Sequence, residues 1–134
     1  MSQPPTIQSQ ITFFYYPELA PAATFYEEVL GLPVVVDQGW ARIYRVNGTA
    51  FLGLVAGEKG FHQAQEKSAV LLTLVVDDAT AWYAYLQEQR VPLLTELQHR
   101  EDIQIRCFYL QDPGGYSIEV QEFLQPEVRR EFGD

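Results

Sequence analysis

The chain has 134 residues, enough for one compact domain with its own core, and 47% hydrophobic against 20% charged residues excludes a disordered tail or linker. Eighteen acidic residues against nine Lys plus Arg give a net charge of −9, and without a basic run the chain offers no surface to nucleic acid or to an anionic membrane. The longest apolar runs, such as residues 69–76, are too short to span a bilayer, and MSQPPTIQSQ lacks the apolar stretch of a secretory leader, so the expected location is the cytoplasm.

Residues 1–9 read as a loose arm, followed by the β-rich run ITFFYY, which ends at Pro17. ELAPAATFYEEVLG then spaces Ala22, Phe25, Tyr26, Val29 and Leu30 as on a helix and stops at Gly31. After Pro33 come VVV, WARIYRV and AFLGLV; Asn47-Gly48 marks a tight hairpin between the last two. GEKGFHQAQEKS, residues 57–68, is a joint that either covers a cleft or serves as a solvated linker.

From Ala69 the order starts again. VLLTLVVDD reads as a strand, ATAWYAYLQEQR as a helix, PLLTEL as a short strand, HRED as a polar turn, and IQIRCFYL and YSIEVQEF as two strands joined by DPGG. The chain therefore carries an internal repeat of two β-α-β-β-β modules, at about residues 10–56 and 69–124, with a tail over 125–134. The single Cys107 cannot form an internal disulfide and reads as a small buried apolar side chain. His62 in the joint and His99 in HRED are expected at the surface.

Two such modules, with FYEEVLGL in the first and FYLQDPGGYSIEVQEF in the second, resemble the vicinal oxygen chelate superfamily of glyoxalase I, the extradiol dioxygenases and the bleomycin resistance proteins. The resemblance runs from about Gln10 to Phe123. It implies an α+β fold in which the two tandem modules form a curved, cleft-bearing half-barrel sheet, and it implies a homodimer. Metal-dependent members carry ligands on the first and last strands of each module. Set onto this chain, those positions fall on Ile11 (or, with a slip, Gln10), Leu52, Leu71 and Glu119. A divalent metal needs about three protein donors. One carboxylate does not suffice, so no metal or other cofactor is expected.

Glu119 sits mid-strand, where Ser117, Glu119 and Gln121 share one face and Ile118 and Val120 the other. Ile118 and Val120 are expected to pack on a helix, turning Glu119 into the cleft. A buried charge needs a partner, and Arg106 on the preceding strand is the expected one. The pair is either structural or meets a polar ligand group; alternatively Glu119 is a general base. Ile11, Phe13 and Tyr15 are expected to face the same cleft, as are Leu71 and Thr73; Leu52, Arg106 and Phe108 complete the expected lining. Trp40, Arg42 and Tyr44 share a face whose direction alternation leaves open, and they count among the candidate ligand contacts.

The resulting expectation is a metal-free glyoxalase- or bleomycin-resistance-like protein that holds a small apolar or aromatic molecule in its cleft. Two alternatives stand beside it: a metal-dependent lyase or dioxygenase with non-standard ligands, and a non-catalytic protein-interaction domain. No phosphate-binding glycine loop, nucleophile elbow or C-x-x-C pair is present.

Overall fold

A computed structural model describes residues 3–133. The first two residues of the expected arm, and Asp134 of the tail, lie outside the described residues. The chain divides after Glu66 into two units, each built around a four-stranded sheet that is open and mixed. The fold is α+β, in two modules.

The N-terminal unit runs β1 (Gln10–Tyr16), α1 (Leu19–Thr24), a π-helical turn (Phe25–Val29), β2 (Val34–Asp37), β3 (Ala41–Asn47) and β4 (Ala50–Ala56), with sheet order β1-β4-β3-β2. β1 lies parallel to β4, and the other neighbours are antiparallel. Pairing decides which side chains share a face, because directly opposed residues point the same way. Phe14, Leu52, Leu54 and Tyr44 fall on one face and are all buried. Ile11, Phe13, Tyr15, Ile43 and Phe51 fall on the other.

The helix covers the first face. FYEEV widens into a π turn, closed by Leu30 N–H on the Phe25 carbonyl, so that consecutive Phe25 and Tyr26 are both buried. Tyr26 approaches Tyr44 at a centroid distance of 6.3 Å. Each fully buried aromatic or leucine contributes about 2 kcal/mol by leaving water.

The C-terminal unit runs β5 (Leu71–Val75), α2 (Ala79–Glu88), β6 (Gln98–Arg100), β7 (Ile105–Gln111) and β8 (Ser117–Phe123), in order β5-β8-β7-β6. A short helix, α3 (Pro126–Arg129), and a 3-10 turn (Arg130–Phe132) follow. Asp78 caps α2 by accepting from Ala81 N–H at 3.0 Å. Phe108, Leu110, Ile118 and Val120 are buried on the face where Tyr83 of α2 meets Phe108 edge-on. As expected, Ile118 and Val120 lie on the helix side.

Two expectations for this unit are corrected. PLLTEL is not a strand: Leu93 makes a single bridge to Leu110, and Leu94 N–H bonds to the Tyr109 carbonyl. The strand at that edge is β6, which overlaps the first two residues of the HRED stretch read as a turn, because Gln98, His99 and Arg100 find antiparallel partners in Cys107, Arg106 and Ile105. His99 is exposed there, and His62 is exposed in its loop, as expected. The 57–68 joint does not run free throughout. Gly60 packs so closely on Val55 and Tyr15 that a Cβ would collide with them, and the His62 ring meets Tyr15 edge-on at 5.6 Å.

The DPGG turn shows why its residues are needed. Buried Asp112 accepts through Oδ1 from Gly114 N–H and Tyr116 N–H, both at 2.9 Å, while Gly115 takes a φ of +87°. Asp112→Ala leaves the Gly114 and Tyr116 N–H groups without their acceptor and, at about 1 kcal/mol for each bond, is expected to cost about 2 kcal/mol in urea unfolding. Asp112→Asn, which keeps the Oδ1 acceptor, should recover most of that loss.

Candidate functional site

α1 with the π turn packs on one face of the N-terminal sheet and α2 on one face of the C-terminal sheet, so candidate ligand-contacting residues are those of the opposite face, called open below. In the C-terminal unit that face holds Leu71 and Thr73 of β5, Cys107 and Tyr109 of β7, and Glu119 and Gln121 of β8. Glu119 pairs directly with Thr73 on one side and Tyr109 on the other. Thr73 Oγ1 donates to Glu119 Oε1 at 2.9 Å, and the Tyr109 hydroxyl donates to Oε2 at 3.2 Å. Each carboxylate oxygen thus has an O–H donor, which offsets the cost of holding a side chain only 7% exposed.

The expected Arg106–Glu119 pair does not form. Register places Arg106 opposite Glu122, on the helix face, and Arg106 Nη1 lies 3.3 Å from Glu122 Oε2. Glu122 is a structural carboxylate: its Oε1 accepts from Ala79 N–H at the start of α2, and Arg129 Nη1 reaches its Oε2 at 3.5 Å. Phe108 stands on the same helix face and is fully buried. Arg106 and Phe108 therefore leave the set of open-face residues, because they alternate with Cys107 and Tyr109, whose partners are Gln121 and Glu119.

In the N-terminal unit, Phe13 and Tyr15 lie on the open face and Leu52 does not. Gly53, not Leu52, occupies the place that corresponds to Glu119: it pairs with Phe13 and Ile43 as Glu119 pairs with Thr73 and Tyr109. The reason is the turns. Residues 48–49 join β3 to β4, whereas residues 112–116 join β7 to β8, so Gly48 and Gly115 are not equivalent. A one-residue slip moves a side chain to the other face. The ring of Phe13 fills the space beside Gly53 that a Cβ would need.

The face of Arg42 and Tyr44, open from sequence, is the helix face. There the Tyr44 hydroxyl donates to Glu27 Oε2 at 2.8 Å, and Arg42 Nη1 bonds the same oxygen. Burial first, and Glu27 second, push the Tyr44 phenol far above its ordinary value; the bond to Glu27 raises the Arg42 guanidinium too. Both leave the expected cleft lining and instead fasten the π turn to β3. Trp40 precedes β3 in a bend and is about one-third exposed.

The open face of the N-terminal sheet also bears a groove of about 500 Å³ that sequence reasoning passed over. All four strands contribute, with Ile11, Phe51, Ile43 and Val36 as its apolar floor and Arg45 at its rim. The signal was the alternation Ile43, Arg45 in β3, which could not be placed until the face was known.

These features coincide with a known family. The model of the glyoxalase/bleomycin resistance protein/dioxygenase superfamily matches residues 8–120, and the chain belongs to that superfamily. Among solved structures, lactoylglutathione lyase from Agrobacterium tumefaciens is similar at 21% identity, with a TM-score of 0.70 over 90% of this chain and 96% of that one. A virulence protein from Salmonella typhimurium is similar at 17% identity and TM-score 0.71, covering 89% and 98% of the two chains. A glyoxalase/bleomycin resistance protein/dioxygenase from Nocardioides stands at 15% and 0.72, covering 94% and 88%. At such identities the likeness carries the fold alone. No curated protein matches the chain.

The donor set does not fit the divalent metal of metal-dependent relatives. The N-terminal sheet presents Ile11 and Gly53 at the relevant positions, and the C-terminal sheet presents Leu71 and Glu119. Among the described residues no group of three or more His, Cys, Asp or Glu could hold a metal ion. Nor is any helix of these residues long and apolar enough to cross a membrane.

Burial, and then the negative charge of Glu119, push both the Cys107 thiol and the Tyr109 phenol above their ordinary values of 9.0 and 10.0. Tyr109 stays a donor and Cys107 stays a thiol at neutral pH, which disfavours a nucleophilic role. Because both values are raised on folding, their contribution to stability is complete below the ordinary values and is lost as pH rises past them. Unfolding free energy measured by urea titration should therefore fall above about pH 9. In Tyr109→Phe the decline above about pH 10 should be shallower.

Proposed function

We propose that the protein binds a small, largely apolar organic molecule without the help of a metal, and that the open-face groove of the N-terminal unit is the binding site. One observation carries this reading: a groove of about 500 Å³ floored by Ile11, Phe51, Ile43 and Val36 lies on the sheet face opposite the helix. Its volume falls within the range of small-molecule sites, and its lining is apolar with few polar groups. Side chains that would supply metal donors in a catalytic relative are here Ile11 and Gly53. Gly53 leaves room for the Phe13 ring, so the position contributes an apolar wall instead of a ligand.

Glu119 supports the same reading from the other unit. Both of its oxygens are engaged by Thr73 and Tyr109, so the carboxylate completes a hydrogen-bonded network within its own sheet.

The test uses the neutral fluorescent probe N-phenylnaphthylamine and the intact protein. Saturable one-to-one binding is expected, weakened at least about tenfold by Ile43→Glu, which places a charge on the apolar floor at a cost of a few kcal/mol. Circular dichroism checks that the variant remains folded. Addition of Mg²⁺, Mn²⁺, Zn²⁺ or Ni²⁺ should leave the melting temperature unchanged, since only a ligand of the native state raises it. Absence of saturable probe binding, or a specific shift with one of these metals, would overturn the reading.

A further inference from the structure

The groove's lining is uneven in charge, and that unevenness identifies the class of molecule it takes. Of the residues that line it, Arg45 alone is charged; Ser9 and Gln10 are polar, and Ile11, Val35, Val36, Ile43 and Phe51 are apolar. The polar members gather toward the beginning of β4. Gln10 pairs with Ala50 and Arg45 with Phe51, whereas Val36 pairs with Ile43, which lies opposite Gly53 further along the strand. One end is therefore cationic, and the rest is hydrocarbon.

Arg45 is also held in place. Its Cζ lies 4.8 Å from the centroid of the Phe51 ring, and Nη1 donates to the carbonyl of Gly48 in the β3–β4 turn. Stacking on an aromatic face and one backbone bond fix the plane of the guanidinium beside the groove. A guanidinium has five N–H donors, so the bond to Gly48 leaves most of the fork for an external acceptor. Fixing such a long side chain before binding removes part of the entropy cost of capturing a ligand.

Building on the reading of the groove as a small-molecule site, we propose that its ligand is an amphipathic monocarboxylate. The carboxylate meets the guanidinium of Arg45, and an alkyl or arylalkyl body lies across the strands on Ile11, Phe51, Ile43 and Val36. From β1 to β2 the sheet crosses three interstrand spacings, roughly 14 Å, which gives the body length as well as width. The whole-chain charge of −9 would by itself favour a cation, but among the described residues no Asp or Glu lines the groove. At contact distance the local charge decides, because the remote acids are screened over about 8 Å at physiological salt. A planar carboxylate also matches the fork with two parallel hydrogen bonds, which an alcohol cannot.

The experiment is isothermal titration of the intact protein with octanoate, octanol and octylamine, repeated with phenylbutyrate. The expected order is carboxylate, then alcohol, then amine, with octanoate about tenfold tighter than octanol, as for one charge-assisted contact. Arg45→Gln should erase the difference between octanoate and octanol; Arg45→Lys, which keeps the charge but loses the fork, should retain part of it. Ile43→Glu should weaken octanoate and octanol, which locates them in the groove. If octanol and octanoate bind equally, or octylamine binds best, the monocarboxylate assignment fails while the apolar site stands. If none of the three binds and N-phenylnaphthylamine also does not, both fail.

Discussion

A single helix can shield only one side of a four-stranded sheet, and nearly every other property of the chain follows from that shortage. Because successive side chains on a strand alternate in direction, each sheet must sort its residues into a face that packs under the helix and a face that does not. Phe14, Tyr44, Leu52 and Leu54 take the first role in the N-terminal unit, and Phe108, Leu110, Ile118 and Val120 take it in the C-terminal one. The opposite faces are mixed in burial: Ile105, Cys107 and Glu119 are buried there in the C-terminal unit, whereas Ile11 and Phe13 are exposed in the N-terminal one.

The helix faces use their charged residues as fasteners. Glu27 draws in both Tyr44 and Arg42, which ties the π turn to β3. Glu122 holds the first turn of α2 through Ala79 N–H and receives Arg106 and Arg129, so one buried carboxylate binds helix, sheet and C-terminal segment together. Phe132 stacking on Phe123 at 4.7 Å secures the same segment by apolar contact. Removing one member of such a network is costlier than its net contribution suggests, because its partners stay behind unsatisfied.

The open faces diverge where the modules correspond. At equivalent registers one sheet has Phe13, Gly53 and Ile43 and the other has Thr73, Glu119 and Tyr109. The first trio gives a hydrocarbon wall and the second a closed hydrogen-bonded network. Membership of the glyoxalase/bleomycin resistance protein/dioxygenase superfamily fixes the scaffold. Function lies in what is placed on it. We propose that here it is the apolar groove rimmed by one arginine.

The sequence by itself determined the elements that depend on local chemistry: the duplicated order of strands and helix, the hairpin at Asn47-Gly48, the DPGG turn, and the packing of Ile118 and Val120 that turns Glu119 to the opposite face. Each follows from periodicity or from backbone preferences confined to a few neighbouring residues. Only tertiary structure decided which residues share that face. Arg106 looked like the partner of Glu119 by adjacency of strands, yet pairing gave it to Glu122; Leu52 looked equivalent to Glu119 by alignment of glycines, yet turns of different length put Gly53 there. Strand register depends on the length of a turn and on contacts between distant residues, and a shift of one residue reverses every side chain, so local pattern could not resolve it. The direction of Arg42 and Tyr44 was decided in the same way: register sets them opposite Leu54 and Leu52 on the helix face, where Glu27 accepts from both.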